Sequence, residues 1–237
     1  MSVKGGPNIV KDGMVLCLDA ANTKSYPGTG TKWYDQSGNN NTSTHSSGVT
    51  YNSSNMGSLV FNGIDTSTTF TPISYPITLP WSFTMELNLN SDMIGKWTNI
   101  IDQVNGFTNC TWMFHSEGLA FYQSYYNSTT WIWWTGIKQG TTLAVNTWNS
   151  ITITCAPVDS GHTNMNAYLN GIRRTDSSTA NFLWSDINHT MVFDRIGGGA
   201  TGRWYSGKVA TLKVYNRILS ADEVFQNYNA TKSRYNL

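Results

Sequence analysis

The stretch from Gly207 to Asn229 restricts what this chain can fold into more than any other part of the sequence. Its first half alternates between two kinds of side chain, with the period of two that is typical of a half-buried strand. One face takes Ala210, Leu212 and Val214, and the other takes Lys213 and Tyr215. The stretch therefore predicts a core strand close to the end of the printed sequence.

A short helix is predicted to follow this strand. Ser220 is a candidate N-cap, and Glu223 stands three residues later, which is the spacing of a capping box. Leu219 before the cap and Val224 inside the helix can form a hydrophobic staple. Asp222 adds negative charge to the first turn, where the helix dipole favours it. The strand thus continues into a well-capped helix.

The rest of the chain is a series of short strands separated by turns. Trp81 to Leu89 alternates cleanly, with Glu86 and Asn88 on the face opposite the apolar residues, and Asn170-Gly171 is a strong hairpin-turn pair. Further strands are predicted at 14–18, 58–63, 99–104, 111–115, 119–124, 130–135 and 148–154. The pattern indicates an all-β protein: a sandwich of two antiparallel sheets with a short C-terminal helix.

The 237 residues contain no internal repeat, linker or composition change, so residues 14–237 are interpreted as one domain. Residues 1–13 are interpreted as an extended arm, because Gly5-Gly6-Pro7 interrupts regular structure. The arm has few apolar residues, and we expect it to become ordered only on a partner.

Composition excludes several classes of protein. Net charge is +1 with only 12% charged residues, which argues against binding along a nucleic acid backbone. No apolar run is long enough for a membrane span, and residues 1–14 do not resemble a secretory signal. The three cysteines, Cys17, Cys110 and Cys155, fit neither a disulfide framework nor a zinc site. We therefore expect synthesis in a reducing compartment.

Residues 22–48 contain almost no aliphatic side chain and predict a long loop. A loop of this length is usually functional or held by its own packing. Tyr26, Trp33 and Tyr34 are the candidate anchors.

Two runs of residues resemble laminin-G-like, concanavalin-A-like domains. The opening run shares Leu16, Leu18, Asp19, Ala20, Asn22, Ser25, Tyr26, Pro27, Gly28, Gly30, Trp33, Asp35, Ser37, Gly38, Asn39 and Asn41 with a laminin-G-like group that is frequent among phage virion and other surface proteins. The closing run shares Gly207, Val209, Leu212, Val214, Tyr215, Asn216, Arg217, Leu219, Ser220 and Glu223 with such domains. The resemblance implies a concanavalin-A-like jelly-roll sandwich.

The resemblance also implies a single Ca²⁺ at an edge of the sandwich, held by aspartate and carbonyl oxygens. The candidate ligands are Asp19, Asp35, Asp65 and Asp194. The alternative for each is a turn aspartate that accepts hydrogen bonds from its own backbone. That alternative gains weight because Asn62 and Ala210-Thr211 stand where the family usually has acids.

Aromatic residues are the candidate ligand-binding residues. Alternation puts Trp131 and Trp133 on one face of a strand, and Ile132 and Trp134 on the other. One face must join the core, and the other then forms an aromatic patch for sugar stacking or protein docking. Tyr122, Tyr125 and Tyr126 are close enough in sequence to enlarge it. Burial of that face under the long loop is the alternative.

Hydrolysis of a glycosidic bond needs two carboxyl groups, and jelly-roll enzymes of the glucanase type carry them on one strand with the spacing E-x-D-x-x-E. The chain has only three glutamates, Glu86, Glu117 and Glu223, and none of them has that spacing. We therefore expect no catalysis.

The resemblance to virion-associated laminin-G-like proteins implies a non-enzymatic bacteriophage virion protein, made in the host cytoplasm and placed on the virion surface, and the unclustered cysteines fit this expectation. Capsid decoration is the first interpretation, and a carbohydrate-binding adhesin or tail-associated receptor-binding module is the second. A glycan hydrolase or lyase is the third. The partners expected are other capsid or tail proteins and host surface glycan, with homo-oligomers left open and no nucleic acid or membrane insertion.

Overall fold

The computed structural model describes residues 7–75, 80–94, 96, 98–102, 111–115, 120–126, 131–137, 143–157, 162–174, 182–183, 191–198 and 203–237. These residues form two antiparallel sheets packed face to face, with a helix, α1 (Ala221–Thr231), near the C-terminus. The predicted all-β sandwich with one short C-terminal helix is confirmed. None of the helical segments described is long and apolar enough to cross a membrane.

The nine-strand sheet has the order β14-β13-β12-β7-β17-β5-β4, with β1 also paired to β17 and β15 to β13. Its strands are β1 (Met14–Asp19), β4 (Thr50–Asn52), β5 (Ser58–Asn62), β7 (Trp81–Leu89), β12 (Trp148–Pro157), β13 (His162–Leu169), β14 (Ile172–Arg173), β15 (Phe182–Leu183) and β17 (Ser206–Tyr215). The predicted hairpin turn between β13 and β14 is confirmed, because Asn170 and Gly171 both have positive φ.

The eight-strand sheet has the order β11-β10-β9-β8-β16-β6-β3-β2. Its strands are β2 (Lys32–Trp33), β3 (Ser43–His45), β6 (Thr68–Tyr75), β8 (Thr98–Asp102), β9 (Thr111–His115), β10 (Ala120–Tyr126), β11 (Trp131–Ile137) and β16 (Met191–Ile196). β2 and β3 lie inside the segment predicted as a loop, because strands of two and three residues are too short to show alternation.

The main core lies between the two sheets and takes one face of each central strand. β7 contributes Trp81, Phe83, Met85, Leu87 and Leu89, and β17 contributes Val209, Leu212 and Val214. Ala210 was predicted to share the face of Leu212 and Val214, and this is wrong. A β-bulge between Val209 and Thr211 changes the phase of the strand, and Ala210 packs instead with Trp148 and Tyr235.

The other face of the nine-strand sheet carries polar residues that are buried nevertheless. Glu86 and Lys213 are 0% and 2% exposed and form an ion pair with 3.1 Å between Oε2 and Nζ. Thr211 donates to Glu86 and accepts from Lys213, and Thr231 of α1 donates to the second carboxylate oxygen at 3.1 Å. The helix thus covers a hydrogen-bonded charge pair at the centre of the sheet.

The predicted capping box of α1 is confirmed. Ser220 Oγ accepts from Glu223 N–H, and the Glu223 carboxylate accepts from Ser220 N–H. Arg217 adds a bidentate ion pair to Glu223, at 2.6 and 2.8 Å. These hydrogen bonds, those of Arg217 first, lower the pKa of Glu223 to about 2. The turn between β17 and α1 is therefore held by charge as well as by the cap.

Asn8 and Val10 pack on α1, so the expectation that the arm needs a partner is wrong for this part of it. Val10 is buried with Leu219 and Val224, and its N–H donates to Asn227 Oδ1 at 2.8 Å. Tyr215 Oη donates to the Val10 carbonyl at 3.2 Å. Residues 1–6 lie outside the described part of the chain.

Replacing Val10 with alanine is expected to lower the free energy of unfolding by about 1–2 kcal/mol, because two buried methyl groups are lost. Urea unfolding of wild type and variant measures the change. Ile64→Ala is the control, since Ile64 is 70% exposed and its truncation should cost almost nothing. Equal losses in the two variants would show that the arm contact does not stabilise the domain.

The long loop is anchored by two of the three predicted aromatic residues. Tyr26 and Trp33 are buried beside His45, whereas Tyr34 is 45% exposed. His45 Nδ1 lies 2.8 Å from Thr68 Oγ1, and no partner is found for its Nε2 among the described residues. Burial lowers the pKa of His45 to about 4. The loop thus closes over a neutral histidine.

Candidate functional site

The aromatic candidates lie in the last two strands of the eight-strand sheet. β10 and β11 pair antiparallel, with Tyr126 opposite Trp131 and Ser124 opposite Trp133. For these strands the structure describes backbone pairing. Residues that are directly opposite, and residues two apart along a strand, share a face of the sheet. The pairing therefore brings the aromatic positions into one two-strand region.

The register divides the six positions between the two faces. Trp131, Trp133, Tyr122 and Tyr126 belong to one face, and Trp134 and Tyr125 belong to the other. Trp134 is opposite Gln123, Gln123 is opposite Trp112, and Trp112 is opposite Ile101. Ile101 is buried in the main core. The register therefore groups Trp134 with the core face, and the other four positions with the opposite face.

Asp19 is held by an arginine from the end of the chain. Arg234 donates to both carboxylate oxygens of Asp19, at 2.8 and 3.0 Å, and the N–H of Ala21 donates to Oδ1 at 2.9 Å. Burial acts to raise the pKa of Asp19, but the hydrogen bonds and charge of Arg234 outweigh it, and the pKa lies below its ordinary value. Asp19 thus forms a structural ion pair with Arg234.

Asp35 belongs to a cover of loop side chains that hydrogen-bond to the backbone of β1 along the edge that does not pair with β17. Its carboxylate accepts from the N–H groups of Cys17, Ser37 and Asn41, at 2.8–3.0 Å, and from Ser37 Oγ at 2.8 Å. Ser37 and Asn41 in turn donate to the Val15 carbonyl. These loop residues therefore take the place of a neighbouring strand.

Asp65 and Asp194 lie on other elements than Asp19 and Asp35. Asp65 accepts from Asn62 Nδ2 at 2.7 Å in the turn after β5, and Asp194 lies in β16 at a register shift. No group of three or more histidine, cysteine, aspartate or glutamate side chains is placed to hold a metal ion within the part of the chain that the structure describes. The oxygens of Asp19 and Asp35 accept hydrogen bonds from N–H and O–H donors, as the turn-aspartate alternative expects for Asp35.

The two glutamates that the structure describes both make structural contacts. Glu86 is buried in its pair with Lys213, and Glu223 closes the helix cap. Glu117 lies outside the described residues. Sequence reasoning missed both the Glu86–Lys213 pair and the Asp19–Arg234 pair. For Glu86 and Lys213 the available indication was a charge of each sign within two apolar strands, whereas nothing local to Asp19 indicated Arg234.

A laminin G family model, described as the concanavalin A-like lectin/glucanases superfamily, matches residues 62–225. No curated protein matches the chain. Many solved structures match this chain, and their low sequence identity shows a shared fold alone.

Three solved structures illustrate the likeness. The binding domain of paraclostridial mosquitocidal protein 1 matches with TM-score 0.64 and 18% identity over 93% of this chain and 52% of that one. Domain 4 of AbnA, a GH43 extracellular arabinanase from Geobacillus stearothermophilus in complex with arabinotriose, matches with TM-score 0.63 and 14% identity, over 91% and 98%. The binding domain of botulinum neurotoxin DC in complex with SialylT matches with TM-score 0.66 and 16% identity, over 94% and 52%.

The chain therefore spans about half the length of the mosquitocidal and neurotoxin binding domains and nearly all of the arabinanase domain. Its two antiparallel sheets agree with the jelly-roll sandwich that the sequence predicted. The family model covers well over half of the residues and includes the capped C-terminal turn. The chain belongs to the concanavalin A-like lectin/glucanase superfamily.

Proposed function

We propose that the protein is a non-catalytic, lectin-like module that binds glycan through strands β10 and β11. The observation that carries this proposal is the strand register, which gathers Trp131, Trp133, Tyr122 and Tyr126 on the face opposite to that of the buried Ile101. Four aromatic positions on two paired strands make a platform of the kind that stacks on the apolar faces of sugar rings.

The neighbouring structures support this proposal by what they contain. The arabinanase domain was solved with arabinotriose, and the receptor-binding domain of botulinum neurotoxin serotype D with N-acetylneuraminic acid. Those ligands belong to those proteins. They support the choice of saccharides as the first compounds to test on this chain.

A non-catalytic function is supported by the two glutamates whose contacts are described. Hydrolysis of a glycosidic bond needs two carboxyl groups flanking it. Glu86 is buried beside Lys213, and Glu223 is bound to Arg217 and Ser220. Turnover of a polysaccharide panel that is lost in Glu117→Gln would contradict this part of the proposal.

We further propose that the module is carried on the surface of a bacteriophage virion, as a capsid decoration or tail-associated protein. The support is the resemblance of the opening run, Leu16 to Asn41, to virion-associated laminin-G-like proteins. The polar side chains of that run form the cover over β1. Cryo-electron microscopy of the native particle tests the location: repeated copies at defined positions support it, and absence from purified virions contradicts it.

The binding proposal is tested by replacing Trp131 or Trp133 with alanine. Each change is expected to weaken glycan binding by about 2 kcal/mol, or roughly 30-fold, if the residue is a hot spot. Affinity should change little between low and high salt, because the chain has net charge +1 and 12% charged residues. Calorimetric titration of the best ligand from a glycan array measures both effects.

Phe225→Ala is the matched control, since Phe225 is an aromatic residue on α1 that is 50% exposed. It should leave the affinity unchanged. Steep salt dependence together with indifference to loss of either tryptophan would contradict the proposal and indicate a charged binding surface instead.

A further inference from the structure

A concave surface lies at the other edge of the sandwich from β10 and β11. The residues before β1, β1 itself and the loop after it enclose a cavity of about 460 Å³. Its wall includes Ile9, Lys11, Met14, Asp19, Asn22 and Gln36. The volume falls within the range of roughly 300–1,000 Å³ that is usual for small-molecule sites.

The polar side chains of the cavity wall, Asn22, Gln36 and Lys11, are exposed and have hydrogen-bonding groups available to a ligand. Asn22 Oδ1 accepts from the N–H of Lys24, which leaves the Asn22 amide N–H₂ without a partner in the described chain. Gln36 Nε2 donates to backbone carbonyls of the loop, which leaves its Oε1 unused among the described contacts. Lys11 is exposed, and its ammonium has no partner among the described residues. The cavity thus offers two donors and one acceptor.

The same wall carries no uncompensated negative charge. The carboxylate of Asp19 is neutralised by Arg234 through two hydrogen bonds. Ile9 and Met14 supply apolar surface between the polar groups. A ligand with hydroxyl groups, which both donate and accept, and with apolar C–H faces matches these groups. Saccharides have that chemistry.

We propose that this cavity is a second saccharide subsite, for one or two sugar rings, independent of the β10–β11 face. The inference rests on the proposed glycan-binding function but uses different residues. Asn22 and Lys11 donate to sugar hydroxyls, Gln36 accepts from one, and Met14 packs against the ring.

The two subsites are separated by the width of the nine-strand sheet. β1 pairs with β17, and the order continues through β7 and β12 to β13, which lies against β11. Four strand spacings of about 4.8 Å correspond to about 19 Å from β1 to β13, and the spacing of about 10 Å between packed sheets adds to this distance. A branched or polymeric glycan can therefore engage both subsites, with a gain in apparent affinity from linkage.

The test is isothermal titration with arabinotriose, lactose and N-acetylneuraminic acid, using the full chain. Asn22→Asp keeps the oxygen that accepts from Lys24 but removes the amide donor, and Lys11→Trp fills the cavity from a side chain with no described partner. Each is expected to reduce binding at the cavity at least 10-fold with an unchanged melting temperature. Lys24→Trp, on the same loop, is the control and should change neither quantity.

With wild type, the best of these saccharides should bind at two sites per chain. Asn22→Asp and Lys11→Trp should each leave one site, and Trp131→Ala with Trp133→Ala should leave the other. Binding that is lost in the tryptophan variant and untouched by the cavity variants overturns this inference while the proposed function stands. Binding that depends only on the cavity overturns the role of β10 and β11. Failure of all three saccharides to bind overturns both.

Discussion

Replacing Lys213 with alanine is expected to lower the free energy of unfolding by about 3–5 kcal/mol, the largest effect of any single change considered. Lys213 is 2% exposed, and its ammonium is the cationic partner of the fully buried Glu86 carboxylate. Removing it leaves an uncompensated charge beneath α1. The neighbouring hydroxyls of Thr211 and Thr231 hydrogen-bond to Glu86 but cannot supply the missing positive charge.

Urea unfolding measures this loss, with Lys208→Ala as the matched control. Lys208 lies on the same strand and is only partly buried, so its truncation should cost well under 1 kcal/mol. Combining Lys213→Met with Glu86→Leu should recover most of the stability, because no charge then remains buried at this position under α1. A Lys213→Ala variant as stable as the Lys208→Ala control would show that the pair makes no net contribution.

The stability of the domain is expected to fall by about 3 kcal/mol between pH 6.5 and pH 4 on account of His45 alone. Burial lowers the pKa of folded His45 from 6.5 to about 4, whereas the unfolded chain keeps the ordinary value. The unfolded state therefore binds more protons in this window. Stability is complete above pH 6.5 and is lost as the pH falls toward 4.

Comparison with His45→Gln isolates this effect, since glutamine remains neutral at every pH in the window. The difference in unfolding free energy between wild type and variant should change with pH, while contributions from the other three histidines cancel. Glu223 and Asp19, whose pKa values lie below the ordinary carboxyl value, cancel in the same way. Parallel pH curves for the two proteins would contradict the prediction.

Much of the fold could be predicted because strong local patterns coincide with tertiary packing. The alternation from Trp81 to Leu89, the Asn170-Gly171 turn and the Ser220/Glu223 box each belong to a few consecutive residues, and each is confirmed. What was missed depends on contacts between distant residues. The bulge at Ala210 reflects the register with β7, and the burial of Glu86 reflects the position of α1.

The candidate sites show the same difference between what local sequence patterns predict and what depends on contacts between distant residues. The pairing of Trp131 and Trp133 on one strand follows from sequence, but their grouping with Tyr122 and Tyr126 needs the β10–β11 register. Asp19 and Asp35 belong to the opening run that resembles the family and were candidate Ca²⁺ ligands. Only the partners from elsewhere, Arg234 and the backbone of β1, show that their oxygens are engaged. Sequence identifies the residue types, whereas long-range contacts decide how they are used.

The position of β17 in the sheet has a consequence for how the chain folds during synthesis. β17 joins β7 on one side to β1 and β5 on the other, yet it is made after all three of them. Until it emerges, those strands have unpaired edges at the centre of the sheet. Pairing across such sequence separations is slow, in the range of milliseconds to seconds. The nascent chain therefore passes through an aggregation-prone period that ends only when β17 inserts and α1 closes over it.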